Sequence, residues 1–177
     1  MRDFTLFWRT LPWDHAPGAL LVTEAGGTAI DVGMLPTPAL YFAVSALKTD
    51  AGLQVTGSHN PPEFNGFKMV LSGEAIHGEA IQSLYQAILR KDLANGNGSY
   101  RTHDIKQAYI ERITSDVKLA RPMKIAVDCG NGVAGAIAPR VLAAIGAEVT
   151  PLFCEVDGRF PNHHPDPSEP HNLADLV

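Results

Sequence analysis

The segment best equipped for chemistry is Thr56-Gly57-Ser58-His59-Asn60-Pro61-Pro62-Glu63-Phe64-Asn65-Gly66-Phe67-Lys68. Ser58 directly follows an apolar strand-like run, and the ends of strands in α/β sheets are where ligands bind. Gly57 removes the Cβ that would keep a phosphate away from the backbone. His59 can donate or accept a proton near neutral pH. Asn60 and Asn65 offer neutral donors, and Pro61 and Pro62 stiffen the loop. Gly66 lets the chain turn back, so that Lys68 enters on the next strand, where an ammonium can neutralise phosphoryl charge or move a proton. The same residues are also ordinary turn vocabulary. No GxSxG elbow is present, and a Ser-His neighbour pair is not a triad without a positioned acid.

Other groups carry weaker signals. His163 and His164 with Asp166 read as a metal set or, given the intervening prolines, as a structural loop. Asp128-Cys129-Gly130-Asn131-Gly132 has the form of a Gly turn after a strand, and Cys129 reads as a small core residue in that strand. Trp8 and Trp13 read as packing residues, and His77 and His103 as solvated residues at helix starts.

The 177 residues are 45% hydrophobic and 19% charged, with a net charge of −5. This is a globular composition without the basic footprint of a nucleic-acid or anionic-membrane binder. The two cysteines, Cys129 and Cys154, have neither CxxC nor metal spacing and suit a reducing compartment. No apolar run approaches a membrane span, and no signal peptide is evident, so the expected compartment is the cytoplasm.

The elements that must position the loop alternate between helix and strand. Residues 13–28 read as a helix capped by Asp14 and ended by Gly26-Gly27. Residues 29–34 read as a short strand. The next helix has Thr37 as cap, Pro38 at its first position, and Leu40, Ala43, Val44 and Leu47 as its apolar stripe. Residues 52–56 and 67–73 read as the strands flanking the loop. Residues 79–92 form the clearest amphipathic helix, with Ile81, Leu84, Tyr85, Ile88 and Leu89 on one face. The NGNGSY run reads as a flexible connection and 104–120 as a further helix. A second strand-helix-strand set spans 123–156, and a Pro-rich loop leads to the start of another helix. Residues 1–12 show no clear period. The order implies an α/β fold with a mixed, mostly parallel sheet and flanking helices, and a domain boundary near 120.

The segment TGSHNPPEFNGFK closely resembles the phosphoserine loop of the α-D-phosphohexomutases, the phosphomannomutase/phosphoglucomutase superfamily, and looks nearest to its bacterial bifunctional branch. DVGMLPTPALYFA, MKIAVDCGNGVAG and CEVDGRFPNHHPDPSEPHNLADL resemble further segments of that family in the same order, covering about residues 29–177. The resemblance implies that Ser58 carries a phosphoryl group and exchanges it with C1 and C6 of a hexose phosphate through a hexose 1,6-bisphosphate. It implies Lys68 as general acid/base or charge partner, His59 as assisting at the phosphoserine, and Asn60 as a residue shaping the loop. Thr56, Gly57, Asn65 and Gly66 complete the phosphate loop. It also implies Mg²⁺ held against the phosphoryl group of Ser58. The family's DGDxDR-type metal loop does not occur in the sequence.

Residues about 9–27, RTLPWDHAPGALLVTEAGG, instead resemble the C-terminal signature of the inositol monophosphatases, in which the residue matching Asp14 is a Mg²⁺ ligand. That family's remaining metal motifs are absent, and one carboxylate holds Mg²⁺ poorly. The expected organisation is a foreign segment at 1–28, an incomplete mutase domain I at 29–120, and the start of domain II at 121–177. Three functions follow as expectations. The first is a phosphohexomutase fragment with little turnover of its own. The second is a non-catalytic remnant that self-associates through an incomplete sheet, and the third a Mg²⁺-dependent phosphomonoesterase. None requires nucleic acid or a membrane.

Overall fold

The computed structural model describes residues 3–7, 12–57, 64 and 66–177. The chain forms two compact units, Met1–Asp104 and Ile105–Val177. Both are α/β, in agreement with the expected fold class.

The first unit runs β1 (Asp3–Phe7), α1 (Pro12–Glu24), β2 (Thr28–Asp31), α2 (Pro38–Leu47), β3 (Ala51–Thr56), β4 (Gly66–Leu71), β5 (Glu74–Ala75), α3 (Glu79–Leu89) and β6 (Ser99–Thr102). The sheet order is β5-β4-β3-β1-β2-β6. The pairs β1–β2, β1–β3 and β2–β6 are parallel, whereas β4 and β5 are antiparallel additions. Phe7, Asp31, Thr56 and Thr102 therefore end four parallel strands at one sheet edge, the edge where such folds bind ligands.

Both faces of β2 are buried. Ala29 packs with Ala19 of α1, and Val22 and Leu53 close that cluster. Ile30 is fully buried, as are Ala39, Leu40 and Ala43 of α2. Burial on two faces is the reason β2 carries no polar alternation. Gly52 lets α2 approach β3: a Cβ there would lie 2.5 Å from Val44 Cγ2 and 2.8 Å from Leu40 Cδ1.

Several expectations are corrected. Residues 1–12, without a readable period, supply β1 at the centre of the sheet. The sheet is therefore not missing an inner strand between β2 and β3, and its edges are β5 and β6. Helix α1 begins at Pro12, which places Asp14 inside the first turn rather than at the cap. Gly26, at φ +83°, does end α1, with its amide donating to the Thr23 carbonyl. Thr37 has helical backbone angles and makes no side-chain cap bond, so Pro38 alone marks the start of α2. The NGNGSY run is not a free connection. Ser99–Thr102 pairs with β2, and the Gly96 and Gly98 amides donate to the carbonyls of Glu24 and Thr23. Helix α3 has the expected apolar face, but none of its residues is buried, and Ile88 is 60% exposed.

The second unit contains α4 (Lys106–Asp116), β7 (Met123–Asp128), α5 (Ala138–Ala144) and β8 (Ala147–Leu152), with 3₁₀ turns at Val133–Ala136 and Pro170–Leu173. Strands β7 and β8 are parallel over six residue pairs. The boundary falls after Asp104 and not near 120, because α4 packs with α5: Arg140 Nη2 donates to Gln107 Oε1 at 2.9 Å. The helix expected within 123–156 is interrupted at Ile137, beyond which Pro139 opens α5. Strand β8 ends at Leu152, because Phe153 turns the chain at φ +48°. Among the described residues no helix is long and apolar enough to cross a membrane.

Candidate active site

Strand β3 delivers Thr56 and the buried Gly57 to the sheet edge, and β4 carries the chain back. Ser58, His59, Asn60 and Asn65 lie outside the described residues. Their framework is described on both sides. Gly66 stands opposite Thr56 in register, and Lys68 opposite Gln54. A Cβ at Gly66 would meet the Thr56 carbonyl oxygen at 3.1 Å, so glycine keeps the base of the hairpin narrow. Lys68 is exposed. No hydrogen bond or ion pair restrains it among the described residues, so its ammonium is available to a ligand.

Sequence reasoning missed Gln54. It is 5% exposed, and its Nε2 donates to the Leu35 carbonyl at 3.1 Å. Its Oε1 is buried with no partner among the described residues. Directly opposed residues of an antiparallel pair share a face, so this amide lies beside the base of Lys68. The signal was present as one polar residue inside the apolar run Gly52-Leu53-Gln54-Val55. The turn leading from β2 towards Leu35 is fixed at Asp31. The Asp31 Oδ1 accepts from the Gly33 amide at 2.8 Å, and its Oδ2 accepts from the Tyr100 hydroxyl at 2.8 Å. Burial, reinforced by Asp31, pushes the Tyr100 hydroxyl up to about 12. Asp31, Gly33, Leu35 and Gln54 thus brace β3 two residues before the loop.

The second unit places its candidates differently. Asp128 Oδ1 accepts from the Gly130 amide at 2.7 Å, and Oδ2 faces His163 Nε2 at 3.0 Å. The two side chains are only 6% and 15% exposed. Asp166 Oδ1 accepts from the Ser168 hydroxyl at 2.7 Å, and among the described residues no group of three His, Cys, Asp or Glu could hold a metal ion. His77 is exposed beside the start of α3, whereas His103 follows β6, its amide donating to the Asp31 carbonyl. Trp8 lies outside the described residues, and Trp13 falls in the first turn of α1.

The His164 carbonyl, followed by Asp128 and Asp175, raises His163 above its ordinary value of 6.5 against the opposing effect of burial. A group raised on folding stabilises fully below its unfolded value, and that stability is lost as pH rises through the folded value. The urea midpoint of the second unit is therefore expected to fall as pH rises from about 6.5 to 8. In Asp128→Asn the fall should shrink; identical pH slopes in the two proteins would contradict the assignment.

Residues 18–95 match the phosphoglucomutase/phosphomannomutase α/β/α domain I, and residues 107–177 match domain II of the same family. The chain belongs to the phosphoglucomutase/phosphomannomutase family. A phosphomannomutase/phosphoglucomutase of Pseudomonas aeruginosa is 53% identical over 156 residues, 88% of this chain and 34% of that protein. A phosphoglucomutase of Neisseria gonorrhoeae is 53% identical over 159 residues, again 88% of this chain and 34% of that protein. The crystal structure of a phosphoglucomutase/phosphomannomutase family protein from Burkholderia thailandensis superposes with a TM-score of 0.90 at 44% identity, covering 99% of this chain and 41% of that one. The chain thus spans about a third of the length of the curated relatives it matches. The domain I match begins at residue 18, inside the stretch expected to be foreign. The inositol monophosphatase resemblance expected for residues about 9–27 is not shown; Pro12–Glu24 form α1 of the first unit.

Proposed function

We propose that this chain carries the phosphoserine end of a phosphohexomutase, an isomerase moving a phosphoryl group between C1 and C6 of a hexose phosphate. The observation that supports this most is the β3–β4 hairpin: β3 ends at Thr56 at the common edge of the parallel strands, and β4 carries Lys68 opposite Gln54. In the half-reaction, the Ser58 oxygen attacks a phosphorus of a hexose 1,6-bisphosphate in line with the sugar oxygen, whose P–O bond breaks. His59 takes the serine proton, and Lys68 gives a proton to the departing alkoxide. Thr56, Gly57, Asn60, Asn65 and Gly66 belong to the phosphate loop in this reading. Mg²⁺, which the family resemblance implies, would neutralise phosphoryl charge against Ser58. The described residues supply no ligand set for it. The cytoplasm suits the two unbridged thiols, Cys129 and Cys154.

Intact-mass analysis after incubation with glucose 1,6-bisphosphate tests the reading. A species about 80 Da heavier, absent in Ser58→Ala, is expected. Its absence from the unsubstituted chain, or its persistence in Ser58→Ala, would refute a competent loop.

Self-association is a second reading, favoured by the exposed apolar face of α3, with Tyr85 51% and Leu89 58% exposed. Light scattering should then give a mass above the monomer's that falls when Leu84 and Ile88 become Gln; a concentration-independent monomer would remove this reading.

A further inference from the structure

The second unit holds both cysteines of the chain, 25 positions apart, with the Cys154 Sγ 3.1 Å from the Cys129 Sγ. Cys129 does not sit within a strand, as the sequence suggested; it follows the end of β7 at Asp128. Cys154 follows the left-handed turn at Phe153 that ends β8. The backbone on both sides is held. The Cys129 amide donates to the Leu152 carbonyl at 3.0 Å, and the Asn131 amide donates to the Phe153 carbonyl at 2.8 Å. Asn131 Nδ2 reaches the Glu155 carbonyl at 3.0 Å, so Asn131 grips the chain on either side of Cys154. Gly135 backs onto the Cys154 carbonyl so closely that a Cβ there would lie 2.1 Å from the oxygen. Two independent turns thus bring the sulfurs together on a rigid base, about 1 Å beyond a covalent S–S bond.

We propose that Cys129 and Cys154 are a redox modification site, a dithiol that closes reversibly to an intramolecular disulfide when it meets a hydroperoxide. The proposal is independent of the mutase reading, since it needs neither Ser58 nor a sugar phosphate. Both thiols are half-buried, and Cys129 lines a cavity of about 240 Å³ together with Gly130, His163 and Leu173. Hydrogen peroxide, little larger than water, fits such a space.

Burial, the neighbouring sulfur and Asp128 push the ionisation of Cys129 up to about 12. One of the two sulfurs attacks one peroxide oxygen, the O–O bond breaks, and the first water leaves, with that cysteine as a sulfenic acid. The other sulfur then attacks the sulfenic sulfur, the S–O bond breaks, and the second water leaves. Two thiols and one hydroperoxide become one disulfide and two waters, the peroxide taking up two electrons. Dithiothreitol reverses the closure by thiol exchange.

The test is intact-mass analysis of the folded chain after hydrogen peroxide, with free thiols then capped by N-ethylmaleimide in denaturant. The expected product is monomeric, about 2 Da lighter than the reduced chain, and takes no adduct, whereas the untreated chain takes two. Dithiothreitol restores both adducts. In Cys129→Ser, dimedone should trap a sulfenic acid on Cys154. In urea, where unfolding separates the sulfurs, dimedone should intercept a larger share of the sulfenic acid before it closes. Two adducts after peroxide, closure only between chains, or an equal dimedone yield in urea and in buffer would overturn the proposal.

Discussion

Gly135→Ala is expected to destabilise the second unit by about 3 kcal/mol, among the largest effects a single methyl can have. The new Cβ would lie 2.1 Å from the Cys154 oxygen, 2.7 Å from its carbonyl carbon and 2.9 Å from its Cα. All three are backbone atoms, so no side chain can swing away. Cys154 cannot retreat either, because Asn131 holds Phe153 and Glu155 on each side of it. The 3₁₀ turn Val133–Ala136 must therefore lift from β8 or the fold must open. Urea unfolding followed by resonances of residues 105–177 should show a midpoint lower by about 1–3 M. Gly132→Ala is the natural control. Its Cβ would meet only the Cys129 oxygen at 3.1 Å, and its loss should be much smaller. Equal losses at the two positions would contradict the close approach described here.

Lys68→Ala should slow phosphoryl uptake by Ser58 by about 10²–10⁴-fold, the usual contribution of a positioned proton donor. The fold should barely notice. Lys68 is exposed and unrestrained among the described residues, and such substitutions stay within about 0.5 kcal/mol. Lys68→Arg separates the two roles open to the side chain, because arginine keeps the charge but does not give up a proton near neutral pH. Near-complete recovery in Lys68→Arg would assign Lys68 to charge neutralisation, and a persistent defect to proton transfer. An unchanged rate of phosphorylation in Lys68→Ala, measured by quenched mass spectrometry, would remove Lys68 from the reaction.

The parts of this fold legible in the sequence are those whose local chemistry agrees with their burial. Pro38 and the stripe Leu40, Ala43 and Val44 marked α2, and those three side chains are buried. Residues 52–56 marked β3 and residues 67–73 marked β4, because the hairpin between them has strong turn chemistry; the strands run Ala51–Thr56 and Gly66–Leu71. Strand β6 was illegible because all four residues are exposed, so no alternation is written into them. Strand β1 was illegible because it is five residues long and its place is decided by distant partners. The unit boundary was misplaced because α4 carries an apolar spacing that says that it packs but not against what. At the candidate site, the residue types and order of the loop were readable. The bracing of β3 through Asp31, Leu35 and Gln54 was not, since it depends on a carbonyl nineteen positions from the amide that reaches it.

The central place of β1 also bears on how the first unit is made. Its partners are Thr28–Asp31 on one side and Ala51–Gln54 on the other, so both lie later in the sequence than β1 itself. One edge of β1 can pair once Asp31 has emerged, and the other stays open until β3 follows. A pause before β3 is therefore where a nascent chain would most need a chaperone to cover that edge.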